Sequence, residues 1–99
     1  MRDHRRTIDY LNQRLAIACR QRDIRNQEQI LESMGINYDA LGDAERALEC
    51  REKRFQVSLT SNDPRLQHQA LKSLKEACLS TGDFARVMPY VDLLMDSQG

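Results

Sequence analysis

Ninety-nine residues carrying fifteen basic and fifteen acidic side chains, with no formal net charge, suit one small domain. A chain this short buries only about 60–65% of its unfolded surface, so its core is modest. Apolar residues make up 40% and charged residues 30%, with four Gly and two Pro; this mixture fits helices with solvated outer faces and short connections, and it excludes a disordered chain. No apolar run approaches the roughly 18 residues needed to span a bilayer, and MRDHRR leads into no signal-peptide core. The expectation is a soluble cytoplasmic protein with no membrane partner.

The first 25 residues hold seven Arg against three Asp, a net of +4, which leaves the remainder at −4. A solvated helix face that uses arginine accounts for this, and nucleic acid is not expected as a partner. Cys19, Cys50 and Cys78 form neither a CxxC pair nor an even set. They read as small core or near-core residues in a reducing compartment, with no disulfide framework and no zinc site.

From Asp3 to about Arg22 the apolar positions Ile8, Leu11, Leu15, Ala18 and Cys19 follow helical spacing, and Tyr10 and Ile17 widen the stripe. A break near Asp23 precedes a second helix over about 25–41, which presents Ile30, Leu31, Met34 and Tyr38 to one side. Gly42-Asp43 makes a sharp turn, and Asp43 can cap a third helix over about 44–60, in which Ala47 and Leu48 open the apolar face and Phe55, Val57 and Leu59 continue it. Ser61-Asn62-Asp63-Pro64 stops that helix, and Pro64 suits the first turn of a fourth over about 65–80. A second Gly-Asp turn, Gly82-Asp83, opens a fifth helix through Phe84, Val87, Met88, Tyr90, Val91 and Leu94. Pro89 should bend that last helix, at a cost of up to roughly 3 kcal/mol where nothing compensates.

The two Gly-Asp turns lie forty positions apart, Gly82 minus Gly42, with Leu31, Met34, Gly35 and Tyr38 ahead of the first and Leu71, Leu74 and Cys78 ahead of the second. Ala47-Leu48 and Val87-Met88 follow them. On this period Asp3 falls on Asp43 and Asp23 on Asp63. The chain then divides into the second helix of a repeat whose first helix is absent (1–23), a complete repeat (24–63) and a second copy without a capping helix (64–99), all within one domain.

This pattern resembles the tetratricopeptide repeat, a helix-turn-helix unit of about 34 residues. The forty-residue period is similar to the longer variant of the spindle-orienting Pins and Leu-Gly-Asn-repeat proteins and of bacterial regulatory arrays. The matching structural positions are Leu31, Met34, Gly35, Tyr38, Gly42, Asp43, Ala47 and Leu48, then Leu71, Leu74, Gly82 and Asp83. Lys75 stands where the second copy would have its packing glycine. The resemblance implies an all-α fold of about five helices: a right-handed superhelical array of antiparallel pairs whose first helices line a concave groove for a peptide or partner helix. Carried over by position, the groove residues are Gln29, Glu32, Ser33, Ile36 and Asp39, then Gln69, Lys72, Ser73, Glu76 and Leu79. Of the Lys and Asn cluster with which some family members grip a terminal carboxylate, only Lys72 is present.

No chemistry-bearing constellation accompanies the repeat. His4 and His68 are isolated, and no glycine-rich phosphate loop or metal-ligand cluster occurs. The reading is therefore a non-enzymatic interaction scaffold for a protein or peptide, with no cofactor and no metal. The alternative is a ligand- or peptide-sensing regulatory segment of a larger protein. Stripes left without a covering helix further predict a homodimer or small homo-oligomer.

Overall fold

The computed structural model describes residues 3–86, 88, 89 and 92. Regular structure among them is entirely helical: α1 (His4–Arg20), α2 (Ile24–Ala40), α3 (Ala44–Leu59) and α4 (Pro64–Thr81), followed by a 3₁₀ turn, Phe84–Arg86. Among the described residues four α-helices are complete where about five were expected, and Met88, Pro89 and Asp92 are also helical. The 3₁₀ turn stands where the fifth was expected to open, and the predicted positions Val87, Tyr90, Val91 and Leu94 lie outside the described residues.

An aspartate starts every α-helix. The carboxylates of Asp3, Asp23, Asp43 and Asp63 accept from the backbone N–H groups of Arg6, Asn26, Arg46 and Arg65 at 3.0–3.2 Å, each satisfying one of the donors that a helix leaves open at its first turn. Pro64 occupies the first turn of α4, where its missing N–H costs nothing. The residue before each of these later aspartates, and before Asp83, is left-handed: Arg22 at φ 55°, Gly42 at 78°, Asn62 at 56° and Gly82 at 76°. At three of the four connections the aspartate N–H then reaches back to the preceding helix, Asp23 to Ala18 O at 2.9 Å, Asp43 to Tyr38 O at 2.9 Å and Asp83 to Cys78 O at 3.1 Å. That bond closes the left-handed cap in which a single residue reverses the chain. Asp23 and Asp43 therefore end one helix with their backbone and begin the next with their side chain. At the third reversal Asp63 N–H donates instead to Ser61 Oγ at 3.2 Å.

These tight reversals make neighbouring helices antiparallel. The imidazole of His4, at the start of α1, meets Asn37 Oδ1 near the end of α2 at 2.8 Å, while Gln27 near the start of α2 donates to Ala18 O near the end of α1 at 3.3 Å. Each helix packs mainly on the helices before and after it in the chain. The Cα trace is only 16 Å thick in its thinnest direction, which is room for two helices side by side at about 8–10 Å between axes.

Two apolar clusters result. Ala18, Ile30, Leu31, Met34 and Cys50 join α1, α2 and α3, with Leu11, Leu15, Tyr38 and Val57 packed against them. Leu48, Phe55, Ala70, Leu71, Leu74 and Cys78 join α3 to α4. Helix α3 contributes to both. The inner stripe of α1 is better covered than its apolar pattern suggested, since Ile8 and Ala18 are buried and Leu11 and Leu15 half-buried. The large apolar side chains that α1 exposes are the two outlying ones, Tyr10 and Ile17. Cys50 and Cys78 are buried, whereas Cys19 is exposed rather than in the core.

Gly35 is buried against α3, but not because two backbones need its missing side chain. A Cβ there would lie 3.5 Å from the Arg51 guanidinium and 3.7 Å from Ala47 O, both ordinary contacts. What crosses over Gly35 is a charged side chain, and the position has space for a methyl group.

Candidate functional site

Helices α2, α3 and α4 converge on an open depression of ≈ 430 Å³ lined by Asp39, Ala44, Leu48, Arg51, Ser73, Glu76, Ala77, Ser80 and Thr81. Helix periodicity explains the lining. Leu48 and Ala77 belong to the stripes that seal α3 against α4, and the residues on either side of those stripes fall on the rim of the seam. Of the groove candidates from the sequence, the depression brings together Asp39, Ser73 and Glu76; Gln29, Glu32, Ser33, Ile36, Gln69, Lys72 and Leu79 do not line it. All ten are accessible. Ser33 and Ser73 are half-buried and the other eight are exposed, with Ile36 at 58% and Leu79 at 63% the most conspicuous because they are apolar.

Arg51 is the residue that sequence reasoning missed. Its side chain is only 17% exposed and its Nη2 donates to Asp39 Oδ2 at 2.8 Å. The guanidinium passes over Gly35 of α2, 3.5 Å from where a Cβ would stand. Four residues separate Arg51 from Ala47, which is itself buried at 1%. An arginine one turn beyond a buried alanine was the available signal for an inward-leaning side chain.

Ser80 and Thr81 complete the upper wall. Their hydroxyls donate to helix carbonyls, Ser80 to Glu76 O at 3.2 Å and Thr81 to Ala77 O at 3.2 Å, so their oxygen lone pairs remain as acceptors. These hydroxyls can thus accept from amide N–H groups while Arg51 supplies a donor and Glu76 a negative charge to the same lining. Below it Arg86, also unanticipated, meets Glu45 Oε1 and Glu52 Oε1 at 2.6 Å each and Asp83 at 3.9 Å. This fixes the 3₁₀ turn against α3 beside the depression.

Leu31, Met34, Ala47, Leu48, Leu71 and Leu74 are buried, Tyr38 is half-buried, and Gly42, Asp43, Gly82 and Asp83 form the two Gly-Asp reversals. Burial raises the thiol pKa of both Cys50 and Cys78 above the ordinary value, which keeps them protonated and unreactive at neutral pH. Among the described residues no group of His, Cys, Asp and Glu is arranged to hold a metal ion, and no helix is long and apolar enough to cross a membrane. No family model matches the sequence, and comparison with curated proteins and with solved structures found no similar protein.

Proposed function

We propose that this chain is a tetratricopeptide-like interaction module, a right-handed array of antiparallel helix pairs without catalytic activity, that docks a peptide or partner helix of another cytoplasmic protein. The observation that carries the reading is the depression walled by α2, α3 and α4, where Asp39, Arg51, Ser73, Glu76, Ser80 and Thr81 converge. A rigid surface with both donors and acceptors matches the amides and charges of an extended polypeptide. The twenty-residue recurrence of a left-handed residue followed by aspartate supports the repeat reading. Neighbour-on-neighbour packing supports it too.

The test is selection of peptides from a random displayed library on the immobilised chain, followed by calorimetric titration of those recovered. Ser73→Arg, which fills the depression, should weaken binding at least tenfold, while Gln13→Arg on an exposed part of α1 should not. Peptides that bind the Ser73→Arg variant and the parent equally would move the site elsewhere. The reading includes self-association through the α1 surface that exposes Tyr10 at 55% and Ile17 at 47%. Light scattering that finds only monomer at high micromolar concentration would remove that part.

A further inference from the structure

A buried carboxylate lies outside the depression and unused by the framework. Glu28 on α2 is 4% exposed, and neither of its oxygens has a hydrogen-bond partner. Arg54 on α3, 8% exposed, also keeps its Nε buried without an acceptor. Its Nη2 stands 3.9 Å from Glu32 Oε2, an ion pair too long for a hydrogen bond. The charged groups that act electrostatically on Glu28 are Arg54 from α3, Asp63 from the connection to α4, and Glu32 from its own helix. Glu28 and Glu32 stand one turn apart on α2, and Arg54, which acts electrostatically on Glu28, leans toward the solvated one of the two, Glu32 with its side chain 54% exposed.

We infer that Glu28, Arg54 and Glu32 form a proton-operated exchange, in which Arg54 pairs with Glu32 while Glu28 is protonated and is drawn to Glu28 when that carboxyl ionises, leaving Glu32 as a free surface charge. A neutral Glu28 tolerates its dry surroundings. An ionised one requires a donor, and Arg54, whose Nε–H has no acceptor, is the cation that acts on it. Desolvation, opposed by Arg54 and reinforced by Asp63 and Glu32, holds the Glu28 pKa above the ordinary glutamate value, so the exchange occurs on the alkaline side of the usual carboxylate range. A raised folded-state pKa means that the protonated form is the better fit to the fold. The stabilisation linked to it is complete below the unfolded pKa and is lost as pH rises through the folded one. Glu32 is one of the accessible residues of α2 assigned to the partner-binding face, so the device would make the charge of that face depend on a proton held inside. The exchange itself needs no partner and stands or falls apart from the peptide-binding reading.

The test is NMR on the free chain. Side-chain carboxyl shifts of Glu28 and Glu32 and the Arg54 Nε–H resonance would be followed from pH 3 to pH 9. The expected result is a Glu28 midpoint above that of a glutamate in an unfolded peptide, with Arg54 Nε–H moving at the same midpoint and that movement lost in Glu28→Gln. Urea midpoints should fall across the same pH interval in the parent and stay flatter in Glu28→Gln. A Glu28 midpoint in or below the ordinary range, or an Arg54 signal that ignores the Glu28 titration, would overturn the exchange. Both readings come from the parent protein, so the inference remains testable if the variant fails to fold.

Discussion

Single residues at the reversals decide how cheaply this chain turns. Gly42 has no atom within 4 Å of where a Cβ would stand, so any cost of a side chain there is a backbone cost, arising from its φ of 78°. Gly42→Val should lose on the order of 2 kcal/mol, because a β-branched residue is poorly suited to the left-handed region, whereas Gly42→Asn should lose less than about 1 kcal/mol. Asn62 shows an asparagine already holding that conformation in this molecule. Arg22 is the reverse case, and Arg22→Gly should recover part of the roughly 1 kcal/mol that a non-glycine residue spends there. Urea denaturation of the variants measures both; a Gly42→Val midpoint equal to the parent's would show that the turn does not constrain the chain. Gly42 and Gly82 were legible in the sequence because glycine announces its backbone. Arg22 was not, since no residue preference marks it and only the geometry of the cap requires its conformation.

The aspartates carry more at the level of the helix than any one of them shows alone. The sequence displayed the Gly-Asp pairs forty residues apart, yet Arg22-Asp23, Gly42-Asp43, Asn62-Asp63 and Gly82-Asp83 recur every twenty. The half-period was hidden because the first residue of the pair changes while its conformation persists. Helix limits were readable to within one or two positions from apolar spacing, as such periods are strong over 16 to 18 residues. The depression was not readable, because its walls come from three helices and depend on Arg51 crossing over Gly35. Asp23→Ala should cost about 1 kcal/mol through the lost N-cap. Its backbone N–H bond to Ala18 O needs no side chain, so the left-handed cap of α1 should survive. Asp23→Asn should restore most of the loss, since its amide oxygen can accept from Asn26 N–H. Amide shifts localise the effect: changes confined to the first turn of α2 fit this division of labour, and loss of the α1 end as well would contradict it.

At the scale of the whole molecule, stability is distributed unevenly along a line. Helix α3 faces both apolar clusters, with Cys50 in one and Leu48 and Phe55 in the other, and Phe55 is fully buried at 0%. Helix α1 belongs to one cluster alone and is held chiefly by α2. In an array whose units touch only their neighbours, opening proceeds from the element with one partner toward the element with two. Backbone amides of α3 should therefore exchange with deuterium most slowly and those of α1 faster. Met34→Ala separates this from uniform softening. Met34 is 5% exposed within the cluster that binds α1 to α2 and α3, and its truncation should remove roughly 2–5 kcal/mol of local packing. Exchange in α1 should then accelerate far more than exchange in α4, whose core of Ala70, Leu71, Leu74 and Cys78 against Phe55 does not include Met34. Equal acceleration in all four helices would mean that the chain opens only as a single cooperative unit, and that the two clusters act as one core despite their separation along α3.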